Sequence, residues 1–188
     1  MKRRKFGVVL ILTGFLLMSG LQTVMASGRT GYLELVGVPA NQIAGGYNTK
    51  TGLFEADLRN FDGAYVKITY DDMVITGQVL EWQTKDDYLQ VRVEAFLKQD
   101  NMEIESDLIE YYSDDERMIA TGNVSVNTDD ANIKAASMIY LREQDRAEFL
   151  DNVVVSVDDG VFQGEHFVMY IDKEVMQFYG AFQAEFQR

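Results

Sequence analysis

From about residue 71 onward, apolar and polar residues alternate with a period of two. In the segment that begins at Met118, Ala120, Gly122, Val124 and Val126 fall on one side and Thr121, Asn123 and Ser125 on the other. Twenty-nine residues later the equivalent positions hold Phe149, Asp151, Val153 and Val155. After another 29 they hold Phe178, Gly180, Phe182 and Ala184, with Phe186 extending the stripe. The segments between them also match: Ile104, Ser106 and Leu108, then Ile133, Ala135 and Ser137, then Phe162, Gly164 and His166. A period of two puts alternate side chains on opposite faces of a strand, whereas a helix needs apolar residues three and four apart over a longer run. The pattern predicts half-buried β-strands.

Acidic clusters punctuate these strands. Asp71, Asp86, Asp100, Asp114, Asp129, Gln144, Asp158 and Asp172 each open a turn-prone pair, at spacings of 15, 14, 14, 15, 15, 14 and 14 residues. Asp and Asn favour turns because their side chains bond nearby backbone and tolerate left-handed conformations. Segments of about ten residues, rich in Val, Ile, Phe, Tyr and Thr, lie between them. The 29-residue period is therefore two strands and two turns. Residues 27–70 are less regular, with turn signals at 44–46, 47–52 and 60–63, and are expected to cap one end of the stack. Terminal units of repeat architectures depart from the pattern because one face meets solvent.

Equal short strands could close as a barrel or fold into two facing sheets. Matching residues 29 apart favour two sheets that receive alternate strands, which sets equivalents side by side. The inward stripe then lines an apolar slot: Val124, Val126, Ile133, Ile139, Phe149, Val153, Val155, Phe162, Val168, Phe178, Phe182 and Phe186. The same residues would equally make a closed, fully packed core. Trp82 and the tyrosines at strand ends are placed near the mouth of such a slot.

Composition adds a compartment and a charge. Lys2, Arg3, Arg4 and Lys5 precede a mostly apolar run from Phe6 to about Leu17, and Val24-Met25-Ala26 follows with modest side chains. That is the layout of a secretory signal peptide cut after Ala26, leaving residues 27–188 as one domain. The apolar run is short for a bilayer span of about 20 residues, although an uncleaved anchor is the alternative. The whole chain carries −13, and residues 27–188 hold 13 basic against 30 acidic residues, or −17. Such a charge argues against binding nucleic acid or an anionic surface electrostatically. With no cysteine, an exported chain must be held by its core and hydrogen bonds alone.

Catalytic chemistry is sparse. The one histidine, His166, falls on the proposed inner stripe, where a hydrogen-bonded core residue is the simpler reading. No nucleophile elbow, phosphate loop or dinucleotide fingerprint occurs. Calcium sites need denser carboxylate spacing than these turns offer, and a carboxylate pair for glycoside hydrolysis is not singled out among 30 acids. Neither metal nor cofactor is expected.

Residues 120–126 (ATGNVSV), followed by Ile133-Lys134-Ala135 and a strand ending at Tyr140, resemble the OstA-like repeat of lipopolysaccharide-export proteins. So do Phe149-Leu150-Asp151-Asn152-Val153 and the later Tyr170. The resemblance covers residues 100–188 well and 70–100 loosely. Asp151 replaces the family's Gly, and Gly180 is followed by Ala181-Phe182 instead of Asn-Val. The resemblance implies an antiparallel, twisted β-jellyroll with a V-shaped section and open ends. It further implies that lipopolysaccharide acyl chains lie in the groove and that such domains join end to end, with copies of themselves or with other jellyrolls of the export machinery. A cleaved leader fits the soluble periplasmic bridge component, and a retained one its membrane-tethered relative.

Three functions follow. A non-enzymatic periplasmic lipid carrier uses the slot, with the segment from Gln177 to Phe186 pairing with a partner. An exported adhesive β-repeat protein would instead use outward residues such as Gln177 and Gln183 to hold polysaccharide or protein. An acidic-site hydrolase would depend on single carboxylates.

Overall fold

The computed structural model of the protein describes residues 7–10, 30–70, 72–171, 173 and 175–186. The expected leader lies outside these residues except for Gly7–Leu10, strand β1, which runs parallel to the start of β2 (Thr30–Val36). Then come β3 (Gly45–Asn48), β4 (Leu53–Asp57), β5 (Tyr65–Tyr70), β6 (Met73–Gly77) and β7 (Val79–Gln83). Seven long strands follow: β8 (Tyr88–Gln99), β9 (Met102–Tyr112), β10 (Arg117–Asn127), β11 (Ala131–Leu141), β12 (Arg146–Val157), β13 (Gly160–Tyr170) and β14 (Val175–Phe186). All fourteen belong to one sheet, antiparallel beyond β1, that does not close into a barrel. A single 3₁₀ turn at Arg142–Gln144 is the helical segment among the described residues.

The strand breaks fall at the acidic clusters, as the turn spacing predicts. The pairing differs from the expected one. From β8 to β14 each strand bonds its immediate predecessor and successor, so 29-residue equivalents are separated by an intervening antiparallel strand. The two facing layers are not sheets of alternate strands. They are the two halves of the same strands, folded over at mid-length.

Strand β8 shows where the layers part. Its first half, Tyr88 to Arg92, pairs with β7, and through β7 with β4 and β3. Its second half, Phe96 to Gln99, pairs with β6, and through β6 with β5 and β2. One leaf thus carries β3, β4, β7 and half of every long strand, and the other carries β2, β5, β6 and the remaining halves. The segment 30–70 adds strands to both.

The fold line is a row of β-bulges. Val93 and Glu94 together oppose the single residue 107, Gly122 and Asn123 oppose 136, and Asp151 and Asn152 oppose 165. Gly180 and Ala181 repeat the device against 165 on β14. At the first three corners both residues have positive φ, from 49° at Asn123 to 80° at Gly122, and Gly180 is also at 80°. An extra residue in left-handed geometry bends and twists the strand sharply. Gly122-Asn123 and Asp151-Asn152 are therefore corner chemistry, because Gly, Asn and Asp enter this region at low steric cost. Opposite it, Asp107 accepts a hydrogen bond from Asn123 Nδ2 at 2.9 Å.

A second left-handed series stitches the turns of one leaf. Asp87, Glu116 and Asp145, again 29 apart, have φ of 53°, 45° and 47°. The carbonyls of these residues accept the backbone N–H of Ser113 (2.9 Å), Arg142 (3.1 Å) and Ile171 (3.1 Å). Each turn thereby docks on the turn of the preceding unit, which satisfies polar groups that would otherwise be left between loops.

Val93 is the strained member of the corner series, a β-branched residue at φ 63°. Val93→Asn is expected to raise stability by about 1 kcal/mol. Gly122→Ala is expected to lower it by about 1–3 kcal/mol, since the new methyl would lie 2.3 Å from Asp107 Oδ2. Gly180→Ala, with nothing within 4 Å of the added carbon, is expected to cost less. Urea unfolding of the three variants checks the order, and equal losses at both glycines would refute it.

Candidate functional site

The inner faces of the two leaves enclose an apolar slot, and its lining follows from the corners. On the bulged strands the extra residue restores the phase after the bend, so β10 buries Met118 and Ala120, then Val124 and Val126. The partner strands lack that residue and change phase. Strand β11 buries Ile133 and Ala135 before the corner, then Met138 and Tyr140 after it. This reverses two expected slot residues. Ile139 is half-buried on the outer face, and Val168, although fully buried, is not part of the core cluster. His166 is likewise turned outward, away from the inner stripe expected for it. It stacks on Tyr179 with ring centroids 4.6 Å apart and lies beside Glu148, which also bonds Arg146 at 2.8 Å.

Val124, Val126, Ile133, Phe149, Val153 and Val155 face inward and are 0–2% exposed. They form close-packed core rather than an open channel. The remaining four, Phe162, Phe178, Phe182 and Phe186, stand at the end of the stack. Strand β14 has no strand beyond it among the described residues, so its inner face is left uncovered. Phe182 is 51% and Phe186 65% exposed. Their rings continue the core outward as a chain of aromatic contacts. Phe149 meets Phe167 at 5.7 Å, Phe167 meets Phe178 at 4.9 Å, and Phe178 stacks on Phe182 at 4.8 Å. Phe162 joins Phe178 at 5.1 Å and Phe186 at 5.7 Å. The Phe–Phe spacings suit offset-stacked and edge-to-face packing.

The long opening between the lips of the two leaves is sealed over one part and gapes over another. Asp72, in the turn after β5, meets Arg142, in the turn after β11, through contacts of 2.7 and 3.0 Å to the same guanidinium nitrogen. Gln99 donates a further bond to Asp72 at 3.2 Å. Burial opposes the charge on Asp72, yet a backbone hydrogen bond, the Arg142 charge and the side-chain donors together hold its pKa below the ordinary value. Burial likewise opposes the charge on Arg142, and Asp72 more than offsets it. Tyr70 and Tyr111 also face each other across the lips, 6.2 Å apart. Trp82 is buried beside them and helps line a cavity of only about 20 Å³.

Toward β14 the lips separate into a cleft of about 460 Å³. Asn101, Thr128, Asp129, Asp130, Val157, Asp158 and Asp159 border it on one leaf, and Met169, Ile171 and Met176 on the other. Met169 and Met176 sit two residues from Phe167 and Phe178, on the same faces of β13 and β14. The floor of the cleft therefore adjoins the aromatic end of the slot. Sequence reasoning missed Met169, Ile171 and Met176, whose signal was the change of phase on β13 and the proximity of the β13–β14 turn.

No group of three or more metal-ligating side chains gathers among the described residues. None of their helices is long and apolar enough to cross a membrane.

An antiparallel sheet folded along a bulge line, open at its edges and filled between its leaves, defines a β-jellyroll of the slotted kind. No family model matches the chain, and no curated protein matches it in sequence. Among solved structures it resembles LptH from Pseudomonas aeruginosa, the LptA-homologous periplasmic component of the conserved lipopolysaccharide transport device. The TM-score is 0.57, with 62% of this chain and 95% of that one covered at 12% identity. At that identity the likeness is one of fold.

Core and entrance are expected to respond differently to truncation. Phe149→Ala removes a ring that is 1% exposed and is expected to cost about 3–5 kcal/mol. Phe182→Ala is expected to cost below about 1 kcal/mol, since its half-exposed ring mainly stacks on Phe178. Denaturant titration of both variants distinguishes them, and a loss at Phe182 as large as at Phe149 would mean that the end of the slot is closed.

Proposed function

We propose that this chain is a non-enzymatic periplasmic carrier in the manner of the OstA-like lipopolysaccharide-export proteins. In this reading residues 1–26 are a leader removed after Ala26, and residues 27–188 form one jellyroll domain. The acyl chains of lipopolysaccharide, or of a related lipid, lie against the aromatic end of the slot. One observation carries the proposal: the inner face of β14 presents Phe178, Phe182 and Phe186 as a continuation of the core with none of the described residues over it. Burial of alkyl chains there is worth about 0.8 kcal/mol per CH₂ and needs no directional partner, which accords with the sparse catalytic chemistry. The fold shared with LptH supports the class of cargo. The unpaired edge of β14 is the natural place for end-to-end strand addition by another jellyroll or a second copy.

Native mass spectrometry of gently purified protein is expected to show retained lipid, and lipopolysaccharide is expected to bind saturably. Phe182→Asp combined with Phe186→Asp is expected to weaken binding at least about tenfold, the loss of a few buried methylene groups, with the circular dichroism spectrum and melting temperature kept. A folded protein that binds no lipid would move the assignment to an adhesive β-repeat protein, and a double variant that binds as well as the parent would remove β14 as the lipid site.

A further inference from the structure

The side cleft has a chemistry of its own. Its apolar wall is Val157 on one leaf with Met169, Ile171 and Met176 on the other, and Phe178 follows Met176 on the same face of β14. Its rim carries four carboxylates, Asp129, Asp130, Asp158 and Asp159, all exposed and all on one leaf. Among the described residues none of the four forms an ion pair with Lys, Arg or His. Asp129 accepts a hydrogen bond from Asn101, which is neutral. Lys173, in the turn beyond Ile171, holds its ammonium over the Tyr170 ring at 5.4 Å from the centroid and does not line the cleft. The space is within the range of ligand pockets, about 300–1,000 Å³. An apolar floor with a single-sign charged rim is a site for an amphiphile, and the rim sets the sign of the headgroup it tolerates.

We propose that this cleft is a charge-selective entrance for single alkyl or acyl chains, favouring a cationic headgroup over a neutral one and a neutral one over an anionic one. The alkyl chain enters past Met169 and Met176 toward Phe178, and the headgroup stays at the rim among the four carboxylates. A lipid bearing phosphates would therefore use this entrance only with its charge covered by counter-ions. The inference rests on the lipid-slot reading and adds to it the class of headgroup. Uncompensated surface charges attract or repel over roughly 10 Å at moderate salt, so a headgroup at the rim feels all four together.

The test uses the full chain at low ionic strength and three probes with the same alkyl tail: dodecyltrimethylammonium, dodecyl maltoside and dodecyl phosphate, each below its micellar concentration. Calorimetric affinities are expected to fall in that order, with at least about tenfold between the cation and the anion. The rim variant Asp129→Asn, Asp130→Asn, Asp158→Asn and Asp159→Asn is expected to bring all three within about threefold, as is high salt. A control with the same number of charges removed elsewhere, Glu55→Gln, Asp62→Asn, Asp86→Asn and Glu105→Gln, is expected to keep the order. Its purpose is to separate the rim from the net charge of the whole protein. Equal affinities, tightest binding of the phosphate, or a control that collapses the order as fully as the rim variant would each overturn the proposal while leaving the slot intact. Failure of dodecyl maltoside to bind would overturn the slot reading itself, and this inference with it.

Discussion

The architecture depends on a backbone event at the centre of alternate long strands, where one extra residue is accommodated in left-handed geometry. A strand of eleven or twelve residues would otherwise run straight across a twisted sheet and expose one apolar face along its whole length. The bulge at positions 93–94, 122–123, 151–152 and 180–181 bends each strand so that its two halves bury that face against each other. Because the same offset recurs every 29 residues, the bends align into one fold line. Where they first occur, on β8, the two leaves separate and continue as different sets of strands. The corner therefore sets the period, the two-leaf section and the line from which the slot opens. Gly122, Asn123, Asp151, Asn152 and Gly180 suit that φ where Val93 does not, and Asp107 anchors the amide of Asn123.

Folding a sheet on itself buries a core without closing an edge. Along the middle of the stack each inner residue has strands on both sides and a facing leaf, and Phe149, Ile133 and Val155 are sealed. At β14 there is no neighbouring strand on one side among the described residues. Residues of the same type and the same register become half or more exposed there, Phe182 and Phe186 among them. Nothing in the local sequence distinguishes these positions from their equivalents 29 residues earlier, the buried Val153 and the half-buried Val157, except larger rings. Placing the largest apolar groups where they are covered least is the reverse of what stability alone would select. A surface built in this way is suited to meet another apolar body.

Much of this was legible in the sequence, and what was missed shares one cause. The strand breaks follow from the Asp and Asn clusters, the antiparallel jellyroll from the resemblance, and the inward direction of Val124, Val126, Ile133, Phe149, Val153 and Val155 from the period of two. The same period, carried past the corner on the strands that lack the extra residue, misplaced Ile139, Val168 and His166. Alternation is reliable only between bulges, and a bulge on one strand changes the phase of its partner, not its own. Adjacent pairing of consecutive strands was missed for a related reason. Identical residues 29 apart suggest direct neighbours, whereas here they are next-nearest strands. Of the lips, only Trp82 and the strand-end tyrosines were legible; the ion pair was not, because Asp72 and Arg142 are 70 residues apart and meet only once the leaves are folded.

The uncovered face of β14 also constrains how cargo and partner would share the protein. Its backbone edge lies in the plane of the sheet, while its rings point between the leaves, so a strand added to the edge would not occupy the space in front of the rings. It would lengthen both leaves and prolong the slot. In the carrier reading, strand addition and chain burial would not compete for space on this element, and each would make the other more favourable. An added strand covers more of any bound alkyl chain, and a bound chain supplies the apolar surface that a new inner face must meet. At the other flank the Asp72–Arg142 contact ties the lips together, so the core beneath is shielded from solvent. A slot closed along one stretch of its seam and open at its aromatic end gives the chain a direction that neither its repeats nor its uniform strands would impose.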